Sequence, residues 1–105
     1  MSRDLLIEEA RRRREVFRNL RRHLDLIKEV AKRIDPRAEV YLFGSVAEGD
    51  YTLSSDIDVL VITTAEPADL LKELWLAGVK EPFEVHVQPP SMLELYARRG
   101  KLIRV

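Results

Sequence analysis

The stretch running from Gly44 to Ile62, GSVAEGDYTLSSDIDVLVI, constrains the fold more than any other part of the chain. Just before it, Glu39-Val40-Tyr41-Leu42-Phe43 alternates and is rich in β-formers, which predicts a strand running into a Gly-Ser corner. Gly44 lets the backbone approach a ligand, and the amides from Ser45 onward can point at an anion if a helical turn starts there. A loop punctuated by Gly49, Ser54 and Ser55 leads to a second predicted strand beginning at Asp56. Its tail, Val59-Leu60-Val61-Ile62, is a continuous apolar run, as expected of a strand covered on both faces.

Within a strand, residues i and i+2 share a face, so Asp56 and Asp58 are expected to project together. Two carboxylates a few ångströms apart repel, and one pKa rises unless a cation joins them. Hard divalent cations such as Mg²⁺ take oxygen ligands of this kind and leave positions for phosphate oxygens. Taken alone, D-x-D reads first as a pair of solvated acids at a strand start. A phosphate-cradling corner placed before it points instead to metal-assisted phosphoryl or nucleotidyl transfer.

The full pattern is G-S-x(3)-G-x(5)-S-D-x-D followed by four aliphatic residues. It resembles the signature of the DNA polymerase beta nucleotidyltransferase superfamily. In size the chain is similar to that superfamily's shortest members, the minimal nucleotidyltransferases (MNT) of archaea and bacteria. The resemblance implies transfer of a nucleoside monophosphate from an NTP, ATP first among them, to a hydroxyl with release of pyrophosphate. It implies two Mg²⁺ ions, held by Asp56, Asp58 and a third carboxylate from a neighbouring strand. The position matching that third carboxylate is Glu84, where the family usually has Asp. Gly44, Ser45 and Ser55 are the implied nucleotide-binding residues. Related motifs often carry a basic residue after Gly-Ser. Here Val46, Ala47 and Glu48 intervene, which leaves Arg98, Arg99 or Lys101 to supply the charge. The family also includes antitoxins paired with small helical HEPN proteins. The partner implied in trans is therefore a HEPN-type protein, either modified by this chain or neutralised by occlusion.

With 105 residues, a single domain over 1–105 with a modest core is expected. The absence of cysteine removes any disulfide framework or thiolate metal site. No apolar run approaches transmembrane length and no signal-peptide pattern opens the chain, so a cytoplasmic protein with no membrane partner is expected. The net charge of zero hides an asymmetry. Residues 1–35 carry eleven Lys or Arg against seven Asp or Glu, and the remainder reverses that balance.

Residues from about Leu5 to Ile34 read as helix, with Phe17, Leu20, Leu24, Ile27, Ala31 and Ile34 forming one apolar stripe. That span is long for a small domain, and Arg11–Arg14 is the place considered for a break. The Arg run has two readings: a solvated face partnered by Glu8, Glu9 and Glu15, or a basic surface for RNA, nucleotide phosphates or an acidic partner. Pro67 suits the first turn of a crossover helix that Gly78 ends, with Trp75 read as core or partner contact. In Phe83–Gln88, alternation puts Phe83, Val85 and Val87 on one face and Glu84, His86 and Gln88 on the other. If this strand neighbours the Asp56 strand, Glu84 faces the proposed metal site. His86 reads as a hydrogen-bonded or substrate-contacting residue. Ser91 is the predicted N-cap of a last helix, Met92 to Arg99, with Glu94 at the capping-box position. Lys101–Val105 reads as a short edge strand or a docking tail, and the small exposed sheet edge allows a homodimer.

The predicted fold is α/β: a small mixed β-sheet of three or four strands with helices packed mainly on one face. A ferredoxin-like RNA-binding fold is the rival architecture, but it gives no reason for Gly44-Ser45 or the acid pair. Each helix is expected to be consumed in covering the sheet. The acceptor of the transfer is therefore expected to be positioned in trans.

Overall fold

The computed structural model describes residues 3–105. Its elements run α1 (Arg3–Arg18), α2 (Leu20–Ile34), β1 (Glu39–Phe43), α3 (Gly44–Glu48), β2 (Ile57–Ile62), α4 (Pro67–Leu76), β3 (Phe83–Gln88), a 3₁₀ turn (Pro90–Met92), α5 (Leu93–Arg99) and β4 (Ile103–Arg104). The strands form one mixed sheet in the order β3-β2-β1-β4. β1 is antiparallel to both β2 and β4, whereas β2 and β3 are parallel. The parallel pair follows from the crossover helix α4, which carries the chain back to the start of the sheet.

Alternation sorts the two faces. Val40 and Leu42 of β1, Ile57, Val59 and Val61 of β2, and Val85 and Val87 of β3 meet Leu24, Ile27 and Ala31 of α2 and Leu70 and Leu74 of α4. The opposite face is covered in part by α5. Leu60 and Ile62 are buried there, so β2 is enclosed on both sides. The expected mixed sheet with helices mainly on one face is what the chain forms. Among the described residues, no helix is long and apolar enough to cross a membrane.

Several local expectations are corrected. The long N-terminal helix is broken at Asn19, not at Arg11–Arg14. Asn19 leaves helical geometry at φ −113° and ψ 30°, and its side-chain amide donates to the Glu15 carbonyl and carboxylate. Such local bonds are how Asn competes with helix propagation. Ser91 does not cap α5, because residues 90–92 tighten into a 3₁₀ turn and the helix begins at Leu93 without a side-chain cap. Trp75 is 59% exposed and lies on the outer side of α4, with Lys80 over its ring, so it is not core. β2 begins one residue later than expected, with the Ile57 N–H donating to the Pro82 carbonyl.

One polar joint ties the far end of α2 to β2. The buried Thr63 hydroxyl donates to Asp35 at 2.6 Å, and the Arg37 amide donates to the same carboxylate. These bonds, Thr63 foremost, hold the Asp35 carboxyl below its ordinary range. A depressed carboxyl stabilises the fold above its unfolded pKa and loses that contribution as pH falls through the folded value. Thr63→Val is therefore expected to lower the thermal midpoint at neutral pH. Its difference from wild type should narrow on acidification below the ordinary Asp value of ~3.9. Thermal unfolding across that pH range checks it.

Candidate active site

The register of the parallel pair builds the site. Asp58 of β2 is the direct partner of Glu84 on β3. His86 lies two residues further along β3, so its side chain shares their face. The His86 Nε2 is 3.8 Å from Asp58 Oδ1 and 3.6 Å from Glu84 Oε1. One ligand atom from each of the three lies within 4.8 Å of the others. Burial, followed by the Glu84 charge, raises the Asp58 carboxyl above its ordinary range. Asp56 adds to the rise and His86 opposes it. A like-charged pair whose ionisation is resisted in this way is a donor set that a divalent cation would relieve.

The Gly-Ser corner stands directly behind Asp58. β1 ends at Phe43, and Gly44 turns into α3 at φ +73°. A Cβ at Gly44 would lie 2.3 Å from Asp58 Oδ2, so only glycine leaves room for that carboxylate. Ser45 follows in the first turn of α3, where its carbonyl accepts the Asp50 amide. Asp56 is exposed, lies just before β2 and is not among the three clustered ligand atoms. Its charge nevertheless reaches Asp58. Ser55 turns its Oγ to accept the Thr52 amide, holding the loop that delivers Asp56.

Neither reading of the Arg run describes all of it. Arg13 donates to the carbonyls of Leu53 and Ser55 and pairs with Glu9, while Arg12 donates to the Glu81 carbonyl. Phe17 of α1 stacks on Tyr51 with ring centroids 5.3 Å apart. α1 thus clasps the loops on either side of the carboxylates. No spacing rule foretells this, because the acceptors are loop carbonyls. The first turns of α1 do not cover the sheet: Leu5, Leu6 and Ile7 remain exposed, contrary to the expectation that every helix is consumed.

Alternation gives the face of His86, but nothing in the sequence signals what packs around its ring. Its ring meets Phe43 edge-on at 5.0 Å and lies 6.4 Å from Tyr96 of α5. Tyr96 also meets Phe43 at 5.4 Å and accepts the Gln88 amide. A pocket of about 140 Å³ opens beside Gly44, lined by Phe43, Glu48, Tyr96, Arg99 and Lys101. Glu48 accepts the Lys101 amide and so fixes the C-terminal tail against α3. Of the three cations considered, Arg98 is engaged by Glu94 at 2.6 Å, whereas Arg99 and Lys101 line the pocket.

Residues 24–103 match the family model for the nucleotidyltransferase domain. The chain belongs to the nucleotidyltransferase family. A crystal structure of a candidate nucleotidyltransferase superposes with a TM-score of 0.61 at 33% identity, covering 79% of this chain and 97% of the other. Cid1 in complex with the UTP analogue UMPNPP shares the fold at a TM-score of 0.61 and 23% identity. That match covers 89% of this nucleotidyltransferase but only 36% of Cid1. A candidate nucleotidyltransferase from Sulfolobus solfataricus shares it at 0.51 and 24% identity, over 85% of this chain and 84% of that one. No match is found among curated proteins. The nucleotidyltransferase assignment and the α/β expectation therefore agree with both the fold and the family. In this nucleotidyltransferase the structure brings together Gly44, Asp58 and Glu84, with Asp56 and Ser55 on the adjoining loop.

Proposed function

We propose that this nucleotidyltransferase moves a nucleoside monophosphate, AMP from ATP in the first instance, onto a hydroxyl of a partner macromolecule. The observation that carries the reading is the Asp58–Glu84 register pair set against Gly44. Asp58 and Glu84 would hold a divalent cation, joined by Asp56 once nucleotide is present. That ion supplies charge neutralisation at the transferring phosphoryl group and at the attacking and leaving oxygens. Gly44 and Ser45 would bind the β- and γ-phosphates through backbone amides and the Ser45 hydroxyl, with Ser55 at the loop beside them. Arg99 and Lys101 would supply the positive charge that residues 46–48 lack. Glu84, the more exposed carboxylate, would take the proton of the acceptor hydroxyl. The nucleotide held by Cid1, a fold neighbour, supports an NTP as donor.

Acceptor positioning in trans is supported by exposed apolar side chains outside the site. Leu71, Trp75 and Leu76 lie on α4, and Leu5, Leu6 and Ile7 lie on α1. The partner class proposed is a HEPN-type helical protein, as in an antitoxin pair, with Mg²⁺ as the default cation. Calorimetry with ATP and divalent cation on the purified protein tests the reading. Metal-dependent nucleotide binding by wild type supports it, and its absence sinks the enzyme reading. Full inhibition of the partner by the Asp58→Asn protein would favour occlusion over modification.

A further inference from the structure

We propose that His86 is itself a ligand of the catalytic cation, and that it shifts the site's preference from Mg²⁺ toward Mn²⁺ and other divalent ions that accept imidazole. The inference rests on the proposed metal-dependent transfer at Asp58 and Glu84. It goes further by naming a nitrogen ligand and the ion class that follows from it.

The geometry points there in three ways. First, the Nε2 of His86 faces both carboxylates, at 3.8 Å from Asp58 and 3.6 Å from Glu84. An ion placed among the three needs only small side-chain adjustments to be bound by all of them. Second, the ring is held in place, since Phe43 packs against it edge-on at 5.0 Å with Tyr96 beyond. A nitrogen fixed by its surroundings costs little further ordering to become a ligand. Third, Asp56 stands outside the cluster, so the three closest donors are two oxygens and one nitrogen rather than three carboxylates.

That donor set has a chemical consequence. Mg²⁺ demands oxygen ligands in near-ideal octahedral geometry and keeps several waters. Imidazole suits Zn²⁺, Fe²⁺ and other later first-row ions, whereas Mn²⁺ shares the carboxylate and water ligands of Mg²⁺. As a transition ion, Mn²⁺ takes an added imidazole nitrogen more readily than Mg²⁺ does. The competing use of the same contacts is a bare ion pair, in which the ring donates to the carboxylates and forms no bond to metal.

Mn²⁺ titration followed by electron paramagnetic resonance separates the two. Pulsed measurements on the bound ion read nitrogen coupling from a ligated imidazole directly. Wild type is expected to show this coupling and to prefer Mn²⁺ over Mg²⁺ in competition. His86→Gln should lose the coupling and bind Mn²⁺ more than roughly 100-fold more weakly, because a direct ligand is lost and not merely a supporting residue. Its Mg²⁺ affinity should change far less. His86→Phe keeps an aromatic ring against Phe43 and Tyr96 without a nitrogen, and should match His86→Gln. The other histidine, His23, is engaged with Glu15, so the variants assign the signal. Bound Mn²⁺ without nitrogen coupling in wild type would overturn the proposal and leave the carboxylate site standing. Failure of wild type to bind either ion, with a non-hydrolysable NTP present, would overturn both readings. The wild-type spectrum decides even if neither variant folds.

Discussion

Asp58→Asn is expected to stabilise the protein in the presence of chelator while destroying metal-dependent nucleotide binding. The two effects come from one cause. Asp58 is mostly enclosed, its side chain 24% exposed, and it faces Glu84. Burial and that neighbouring charge raise its carboxyl above the ordinary range. A raised carboxyl favours the fold below its unfolded pKa, and the benefit is lost as pH rises through the folded value. At neutral pH the ionised group is therefore a liability that a cation would offset. Asparagine keeps the shape without the charge, so the variant's advantage in thermal midpoint should grow as pH rises from acid to neutral. Its metal-dependent NTP binding should fall by more than roughly 100-fold, since loss of a direct ligand exceeds what supporting residues cost. A variant less stable than wild type at neutral pH in chelator would show that the site is relieved some other way.

Gly44→Ala should be nearly as damaging, for a geometric reason. The added Cβ would lie 2.3 Å from Asp58 Oδ2, on a backbone at φ +73°. The left-handed conformation alone costs an L-residue about 1–2 kcal/mol. In a domain of this size that lowers the thermal midpoint by roughly 4–8 °C per kcal/mol. The displaced carboxylate is an additional loss, specific to function. Gly49→Ala separates the two effects, because Gly49 has φ +80° but a Cβ there would meet nothing within 4 Å. It should lose comparable stability yet keep cation and nucleotide binding. Equal retention of binding by Gly44→Ala would mean that the corner does not hold Asp58 in place.

Much of the site is legible in the sequence because β-structure has a period of two. Phe83–Gln88 reads directly as Glu84 and His86 on one face and Val85 and Val87 on the other. The Asp58–Glu84 pairing then needs only a parallel crossover, which Pro67 and Gly78 bracket. What escapes depends on contacts between distant segments. Arg12 and Arg13 are ambiguous in sequence because their acceptors, the carbonyls of Glu81, Leu53 and Ser55, carry no signal there. The break at Asn19 rests on one side chain's bonds to Glu15. Helical spacing alone points Trp75 inward, although that spacing also allows an outer flank. Alternation puts His86 on the Glu84 face, but its approach to both carboxylates and its packing against Phe43 and Tyr96 depend on contacts between distant segments.

The most direct test of nucleotidyl transfer in trans uses ATP labelled at the α-phosphate. Wild type and Asp58→Asn are each incubated with Mg²⁺ or Mn²⁺, with and without a HEPN-type partner, and analysed by gel and mass spectrometry. Label is predicted on a Tyr, Ser or Thr hydroxyl of the partner, only with wild type present. The protein alone should give little turnover. Equal labelling by Asp58→Asn, or robust transfer to water by the isolated protein, would contradict it.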